Sequence, residues 1–407
     1  MAIANFDIAQ NLKVELFLPN ESGNVFIIGI SELGGTDVLT AAGYFVVGES
    51  LIGSTDVLGD SGASAFTWQA IEATVSKLDM QIGGGQTGSI EYTAEPSSCL
   101  FEMQSWVFDP NNNTSVRNGT PFRVRLVATG VDETLFSGYI ENMSIKYRPD
   151  APNLINGTAY DGYKRFANKR VTWNHIGTTK TVTQILTALA ANAGLTVSAG
   201  NGTGIIPMAG QQQTDQTTGN IIKDLLDTQL GLLWLNPKTG AIEYRDRTTA
   251  VATPTYSVGN NHGDANHWCM SGLSVNQNPD DLVNSIKATM TSDTTKTLLR
   301  ENTDSIQLYG ILSQNVTVNA AAETDLVTWM NTAFIERPQQ LVKDVTTPAI
   351  NRTGTLTDAA TIVPGTPLAV KYQTSNINID QKYQVTRVKH SIDPNNWFTT
   401  LELWRAS

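Results

Sequence analysis

The chain has 407 residues, 40 % of them hydrophobic and only 16 % charged, with a net charge of −11 and four histidines. At about 150 residues per domain this length allows roughly two to three domains, and the apolar content excludes a disordered chain. The acidic balance excludes tight DNA binding through a basic face, because a duplex carries about one negative charge per 1.7 Å of axis.

The first residues, Met1 to Asp7, have no basic stretch followed by an apolar one, so no secretory signal is read there. The apolar run Val25 to Ile30 is far shorter than the roughly 20 residues a membrane helix needs. Synthesis in the cytoplasm, with no membrane-spanning segment, is the expectation. Leu12, Val14, Leu16 and Leu18 alternate with more polar neighbours, the pattern of a half-buried strand. Phe122, Val124 and Leu126 alternate with Arg123 and Arg125 in the same way, and Leu135 to Ile140 and Met143 to Tyr147 continue it. Turn clusters punctuate these runs at Gly34-Gly35, Gly83-Gly84-Gly85 and Asp109-Pro110-Asn111-Asn112-Asn113. Residues 1–150 therefore read as a β-barrel or sandwich domain.

Residues 151–255 change character. Asp161 is placed to cap a short helix carrying Tyr163 and Phe166. Thr181 and Gln184 have capping-box spacing, followed by Val182, Ile185, Leu186 and Leu189 at helical intervals and by Gly194 as a stop. A second helix carries Ile222, Leu225, Leu226 and Leu230 and ends near Gly231. Leu232 to Leu235, a Pro237-Lys238-Thr239-Gly240 turn and Ala241 to Tyr244 form a hairpin, which makes this stretch a small α/β domain. Residues 256–407 read as a second β-rich domain with one helix. Leu326, Trp329, Met330, Ala333 and Phe334 give that helix a single apolar stripe, and Pro338 ends it. Strands at Leu368 to Tyr372, Tyr383 to Ile392 and Phe398 to Trp404 close the chain. Polar stretches at 196–220, 250–265 and Ser375 to Asp380 read as linkers. The fold class is mainly β with an α/β middle domain.

Chemistry is sparsely signalled. The histidines are His175, His262, His267 and His390, and no two have the spacing of a zinc protease helix. His262, His267 and Cys269 place three donors within eight residues, but the spacing matches no standard zinc pattern and a fourth ligand has no candidate. No metal and no cofactor are assigned. Gly83 to Gly88 lacks the lysine of a phosphate loop. No Gly-x-Ser-x-Gly elbow occurs, and Gly59-Asp60-Ser61-Gly62 has no histidine upstream of it to act as a base. Asp280-Asp281 and Glu301 with Asp304 are carboxylate pairs of the kind a glycosidase uses, with solvated faces as the simpler reading. Eight evenly spread tryptophans read as core anchors, and Cys99 and Cys269 as reduced, buried thiols.

Three segments together resemble the siphophage tail-tip proteins of the baseplate-hub or minor-tail family. One runs from Ser89 to Thr93 through Phe108-Asp109-Pro110, then Asn118-Gly119-Thr120-Pro121, then Leu135 to Ile140. Another joins Thr158 to Tyr163, Phe166 to Val171, Ala191 to Thr196, and the Trp234 hairpin with Tyr244 to Arg247. The last joins Asp281 to Asn284, Ser305-Ile306, Tyr309-Gly310, His390 to Pro394 and Trp397 to Leu403. The resemblance covers most of residues 85–407 and matches the first 80 less clearly. It implies a non-enzymatic virion protein of the tail tip, a homo-oligomer and most simply a trimer, whose β-barrels continue the tail tube. Implied partners are the distal tail protein ring, the tape-measure protein, a tip or fibre protein, and genomic DNA that passes without specific binding. A carbohydrate-binding β protein at the host surface and a cell-wall hydrolase are the competing classes. Exposed clustered aromatics would mark the first, and lysis lost on a single carboxylate change the second.

Overall fold

The computed structural model describes residues 11–19, 66–71, 73–87, 91–111, 116–128, 131–174, 179–198, 202–210, 212–246, 254–260, 267–276, 283–334, 341–348 and 356–405. Val25 to Ile30, Gly34-Gly35, Gly59 to Gly62, His175, His262 and Asp280-Asp281 lie outside the described residues.

The first stretch is strand after strand: β1 (Leu12–Pro19), β2 (Phe66–Ala70), β3 (Thr74–Ile82), β4 (Gly85–Thr87), β5 (Glu91–Thr93), β6 (Ser98–Ser105), β7 (Pro121–Ala128), β8 (Val131–Lys146) and β9 (Asn153–Tyr160). Period-two alternation decides which face is buried. Cys99, Phe101 and Met103 of β6 point inward, as do Phe122, Val124 and Leu126 of β7, while Arg123 and Arg125 point outward. The two runs read separately at 135–140 and 143–147 are one long strand with an irregularity between Ile140 and Asn142. Its first half pairs with β7 and its second with β9. A bulge of this kind raises local twist, so one strand can serve two neighbours at different angles.

The sheet curls tightly. The order runs β6-β9-β8-β7, so Phe101 and Phe122 sit three strands apart. On a flat sheet that separation is about 14 Å, yet their ring centroids are 4.9 Å apart and stacked. Phe136 meets Phe122 edge-on at 6.1 Å. Gly157 permits the curl, since a Cβ there would come within 2.2 Å of the Phe101 ring and 2.8 Å of the Asn142 carbonyl oxygen.

The middle stretch contains α1 (Gly162–Asn168), β10 (Arg170–Asn174), α2 (Val182–Ala191), β11 (Gln212–Thr217), α3 (Thr218–Gln229), β12 (Leu232–Leu235) and β13 (Ile242–Arg245). The helix starts follow the sequence signals. Asp161 accepts from the Tyr163 N–H, and Thr181 with Gln184 forms a reciprocal capping box. The stretch 196–220 read as a linker holds β11, whose polar Gln and Thr residues pair with β10. The stop of α3 also differs in detail: Leu230, not Gly231, takes the left-handed conformation (φ 50°). Gly231 is needed for space, because a Cβ would meet the Tyr244 ring at 2.3 Å.

The last stretch contains β14 (Tyr256–Gly259), β15 (His267–Cys269), β16 (Gly272–Asn276), β17 (Ser285–Met290), β18 (Thr297–Glu301), α4 (Thr303–Tyr309), β19 (Ser313–Val318), α5 (Glu323–Ala333), β20 (Leu341–Pro348), α6 (Leu356–Thr361), β21 (Pro367–Gln373), β22 (Asn378–Ile392) and β23 (Trp397–Arg405). β14 lies inside the 250–265 stretch read as a linker, pairing in parallel with β15 and β21. Four residues with three buried are too short to show a period, which is why this strand escapes a pattern reading.

β22 joins the two ends of the chain. Its Val388 to Ile392 pair with β3, its Asn378 to Gln384 pair with β21, and β23 lies along its other edge. One 14-stranded sheet results, and among the described residues its strand order is open, with β2 and β15 at the ends of the path. Among the described residues three cores form. The first lies inside the curled sheet and also takes Ala359, Ile392 and Trp397 from the chain's end. The second packs the middle helices and the β12–β13 hairpin against β14, β15 and β21 to β23. The third sets the α5 stripe of Leu326, Trp329, Met330 and Ala333 on the sheet β18-β17-β19.

Candidate functional site

The donors singled out by spacing do not assemble. His262 lies outside the described residues, and His267 sits on β15, of which only the backbone is described. Cys269 is partly buried and Cys99 fully buried, with no disulfide between them, and burial pushes the Cys99 thiol pKa well up. Trp268 between them is fully buried and packs on Tyr256 at 4.4 Å. Among the described residues, no group of three or more His, Cys, Asp or Glu could hold a metal ion. Glu301 accepts a hydrogen bond from Ser285 Oγ (3.2 Å) and Asp304 lies in the first turn of α4, so this pair serves local structure.

Surfaces are more informative than clefts. Among the described residues five tryptophans are buried as anchors, Trp234, Trp268, Trp329, Trp397 and Trp404, and Trp68 is half-buried. Trp106 differs: it is 67 % exposed and followed by Val107 at 74 %. Its turn is ordered, because Ser105 Oγ accepts from the N–H groups of Val107 (3.1 Å) and Phe108 (2.9 Å). The exposed Tyr147 donates to Asp109 Oδ2 (2.8 Å) and accepts from Asn111 Nδ2 (3.1 Å), which fixes a second aromatic to the same turn. A second apolar group lies at Leu308, Tyr309 and Ile311. The second group adjoins β19, a strand with an unpaired edge: among the described residues β18 and β19 end the small sheet, and β2, β15 and β16 end the large one. Exposed strand edges invite pairing with another chain.

The second apolar group hangs on one side chain. Asn284 is fully buried; its Nδ2 donates to the Gly310 carbonyl (2.8 Å) and to Ser305 Oγ (3.4 Å), and its Oδ1 accepts from the Leu312 N–H (2.8 Å). Residues that the sequence reading grouped only by order, Asn284, Ser305 and Gly310, are thus a single hydrogen-bonded corner. Asn284→Ala leaves two or more buried polar groups unmet and is expected to cost about 2 kcal/mol. The check is chemical denaturation, with amide exchange speeding up first at residues 303–312.

The hairpin β4–β5 fastens the large sheet to the α/β layer. Tyr92, fully buried, accepts from the Gly84 N–H (2.6 Å) and donates to the Leu233 carbonyl (3.2 Å). Burial holds its hydroxyl well above the ordinary tyrosine range. Arg387 from β22 donates to the Gly84 carbonyl (3.1 Å), Glu95 (2.6 Å) and Glu402 (3.4 Å), and Lys389 also reaches Glu402 (2.6 Å). The glycine run read as a turn is therefore a clasp: Gly83 has φ 89°, and a Cβ on Gly84 would lie 1.9 Å from the Thr93 carbonyl oxygen. A strand follows it, not the helix N-terminus on which a phosphate site depends. At the other junction of these layers Asp161 is buried, and that burial raises its carboxyl to about 7.

Residues 89–404 match the model of the YQBQ-like family, nearly the same span over which the sequence resembles tail-tip proteins. No curated protein matches the chain. Among solved structures the chain is similar to the 43 kDa tail protein of prophage MuSo2 from Shewanella oneidensis, with TM-score 0.55, 12 % identity, and 83 % of this chain and 95 % of that chain covered. It is equally similar to the tail protein from Neisseria meningitidis MC58, with TM-score 0.55, 12 % identity and coverage of 83 % and 93 %. At this identity the likeness is one of fold, and it extends over almost the whole of both tail proteins. The chain belongs to the YQBQ-like family and has the fold of phage tail proteins.

Proposed function

We propose that this chain is a structural, non-enzymatic subunit of a phage tail tip, in which copies associate as a homotrimeric hub that continues the tail tube. The observation that carries this reading is the fold shared over 83 % of this chain with two tail proteins, joined to unpaired strand edges and ordered apolar turns on the surface. The stretches 1–150, 151–255 and 256–407 would be its building units, with β22 as the tie between the outer two. Sheet edges would pair between copies, and a surface of Asn, Thr and Ser would form hydrogen-bonded seams with little ion desolvation. The hub would sit in the virion between the distal tail ring, the tape-measure protein and a tip or fibre protein, and serve host attachment and DNA delivery. Its acidic charge suits a bore through which DNA slides without sticking.

The test is electron microscopy of the purified chain and of tails containing it. Rings with threefold or pseudo-sixfold symmetry are expected at the tip. A chain that stays monomeric at high concentration and also within particles would overturn the reading. Trp106 with Tyr147 is the observation that favours a second reading, sugar recognition at the host surface. A glycan array separates the two, since binding lost in Trp106→Ala supports the sugar site and no binding removes it.

A further inference from the structure

The chain crosses from the curled sheet to the α/β layer at one residue. Asp161 stands between the end of β9 and the start of α1. Its N–H donates to the Ser97 carbonyl (3.0 Å), and its Oδ1 accepts from the Tyr163 N–H (3.0 Å). The residue is 4 % exposed. Its Oδ2 is sealed from solvent, as is the neighbouring Ser97 hydroxyl, which contacts the carboxyl. Both residues border a cavity of about 180 Å³ between the sheet and the β12–β13 hairpin, walled by Trp68, Ile82, Phe136, Leu235 and Pro237. β8 seats closely on the crossover, since a Cβ on Gly138 would lie 2.3 Å from the Tyr160 carbonyl oxygen.

Among the described residues, no cation at this junction pairs with the carboxyl. The titratable neighbours are Tyr139 of β8, which lines the cavity, Tyr163 of α1, and Tyr92 of β5 beyond it. The two cations of α1 are engaged elsewhere: Lys164 pairs with Glu141 (2.8 Å) and lies over the Tyr160 ring, and Arg165 stacks on Tyr139. No Lys, Arg or His lines the cavity. A carboxylate formed here has no described cation to pair with beside its Ser97 and backbone N–H contacts, and the adjoining cavity has room for several waters.

We propose that Asp161 is a proton-operated latch on the crossover: as the neutral acid it lets the curled sheet and the α/β layer close on a dry cavity, and as the carboxylate it draws water in and loosens the junction. Its titration agrees with the geometry. Burial is the largest influence and raises the carboxyl from 3.8 to about 7, partly offset by the Ser97 contacts and by the backbone N–H groups of Tyr163 and Lys164. Between those two values the folded chain keeps a proton that the unfolded chain has released. Stability therefore falls as pH rises through that window and levels off above it, by up to about a thousandfold in the folding constant.

The experiment is a carbon-detected NMR titration of the Asp161 carboxyl in the full chain, with amide exchange of residues 163–166 followed across the same pH range. A midpoint near 7 is expected, with α1 amides losing protection above it relative to their intrinsic rates. Asp161→Asn should abolish that pH response. Ser97→Ala, which removes a contact that lowers the midpoint, should move it upward and serves as the readout if the Asn variant does not fold. A midpoint near 4, an identical exchange response in Asp161→Asn, or a Ser97→Ala midpoint that stays put or falls would each overturn the latch.

Discussion

Phe122→Ala is expected to lower stability by about 4 kcal/mol, the middle of the range for a buried aromatic replaced by alanine. Phe122 is fully buried and touches Phe101 on one side and Phe136 on the other, so its loss opens a void lined by rigid rings and strands. The measurement is the shift of the urea midpoint at constant slope. A sharper version uses Phe101→Leu and Phe122→Leu singly and together. The rings come from strands that are not neighbours, so a coupling of about 0.5–1.5 kcal/mol reports the curl of the sheet and not local pairing. Strict additivity would mean that the sheet is open enough to part the rings.

Glu15→Ala is expected to cost about 3 kcal/mol. Glu15 is a nearly buried carboxylate on β1, directly opposite Arg123 of β7 in the strand register. It accepts from Arg123 Nε (2.5 Å) and Arg125 Nη1 (3.2 Å). Removing it strands two partly buried guanidinium groups, and breaking a buried pair from one side is costlier than the pair's net worth. The cost stays at the low end of that range because Arg125 keeps Asp132 and Arg123 keeps its place 4.2 Å over the Trp68 ring. Glu15→Gln, which retains an acceptor without the charge, should lose roughly half as much. Comparable losses for Ala and Gln would assign the effect to charge alone and remove the role of hydrogen bonding.

The two substitutions probe opposite faces of one alternating strand. Phe122 faces the core and Arg123 faces outward, where β1 supplies the countercharge. Inward rings set how far the sheet bends, and outward ion pairs hold its first strand to it. Asn284, the Arg387 clasp and Asp161 act on the next level, since each fastens one packed layer to another. A surface meant for assembly needs such fasteners, because an interface is only as rigid as the layers beneath it.

What the sequence determined by itself was local. Alternation at 122–126 and 12–18 marks strands because side chains on a pleat face opposite ways, and Asp161, Thr181 and Gln184 mark helix starts because the first N–H groups of a helix need acceptors. The ordered motifs of residues 85–407 also carried the family, which their match over 89–404 bears out. Only the tertiary structure decided what those elements are joined to. Val388 to Ile392 pair with β3 through backbone groups that every residue type possesses, so nothing in either stretch names the other. For the same reason Trp397 gives no sign that it completes a core begun at Leu12, and the polar strand β11 and the four-residue strand β14 pass for linkers. Asn284 and Asp161 look like ordinary loop and cap residues until packing from distant segments removes their water. Burial is a property of the assembled layers, and it is burial that turns a common polar side chain into a structural corner or a titrating group.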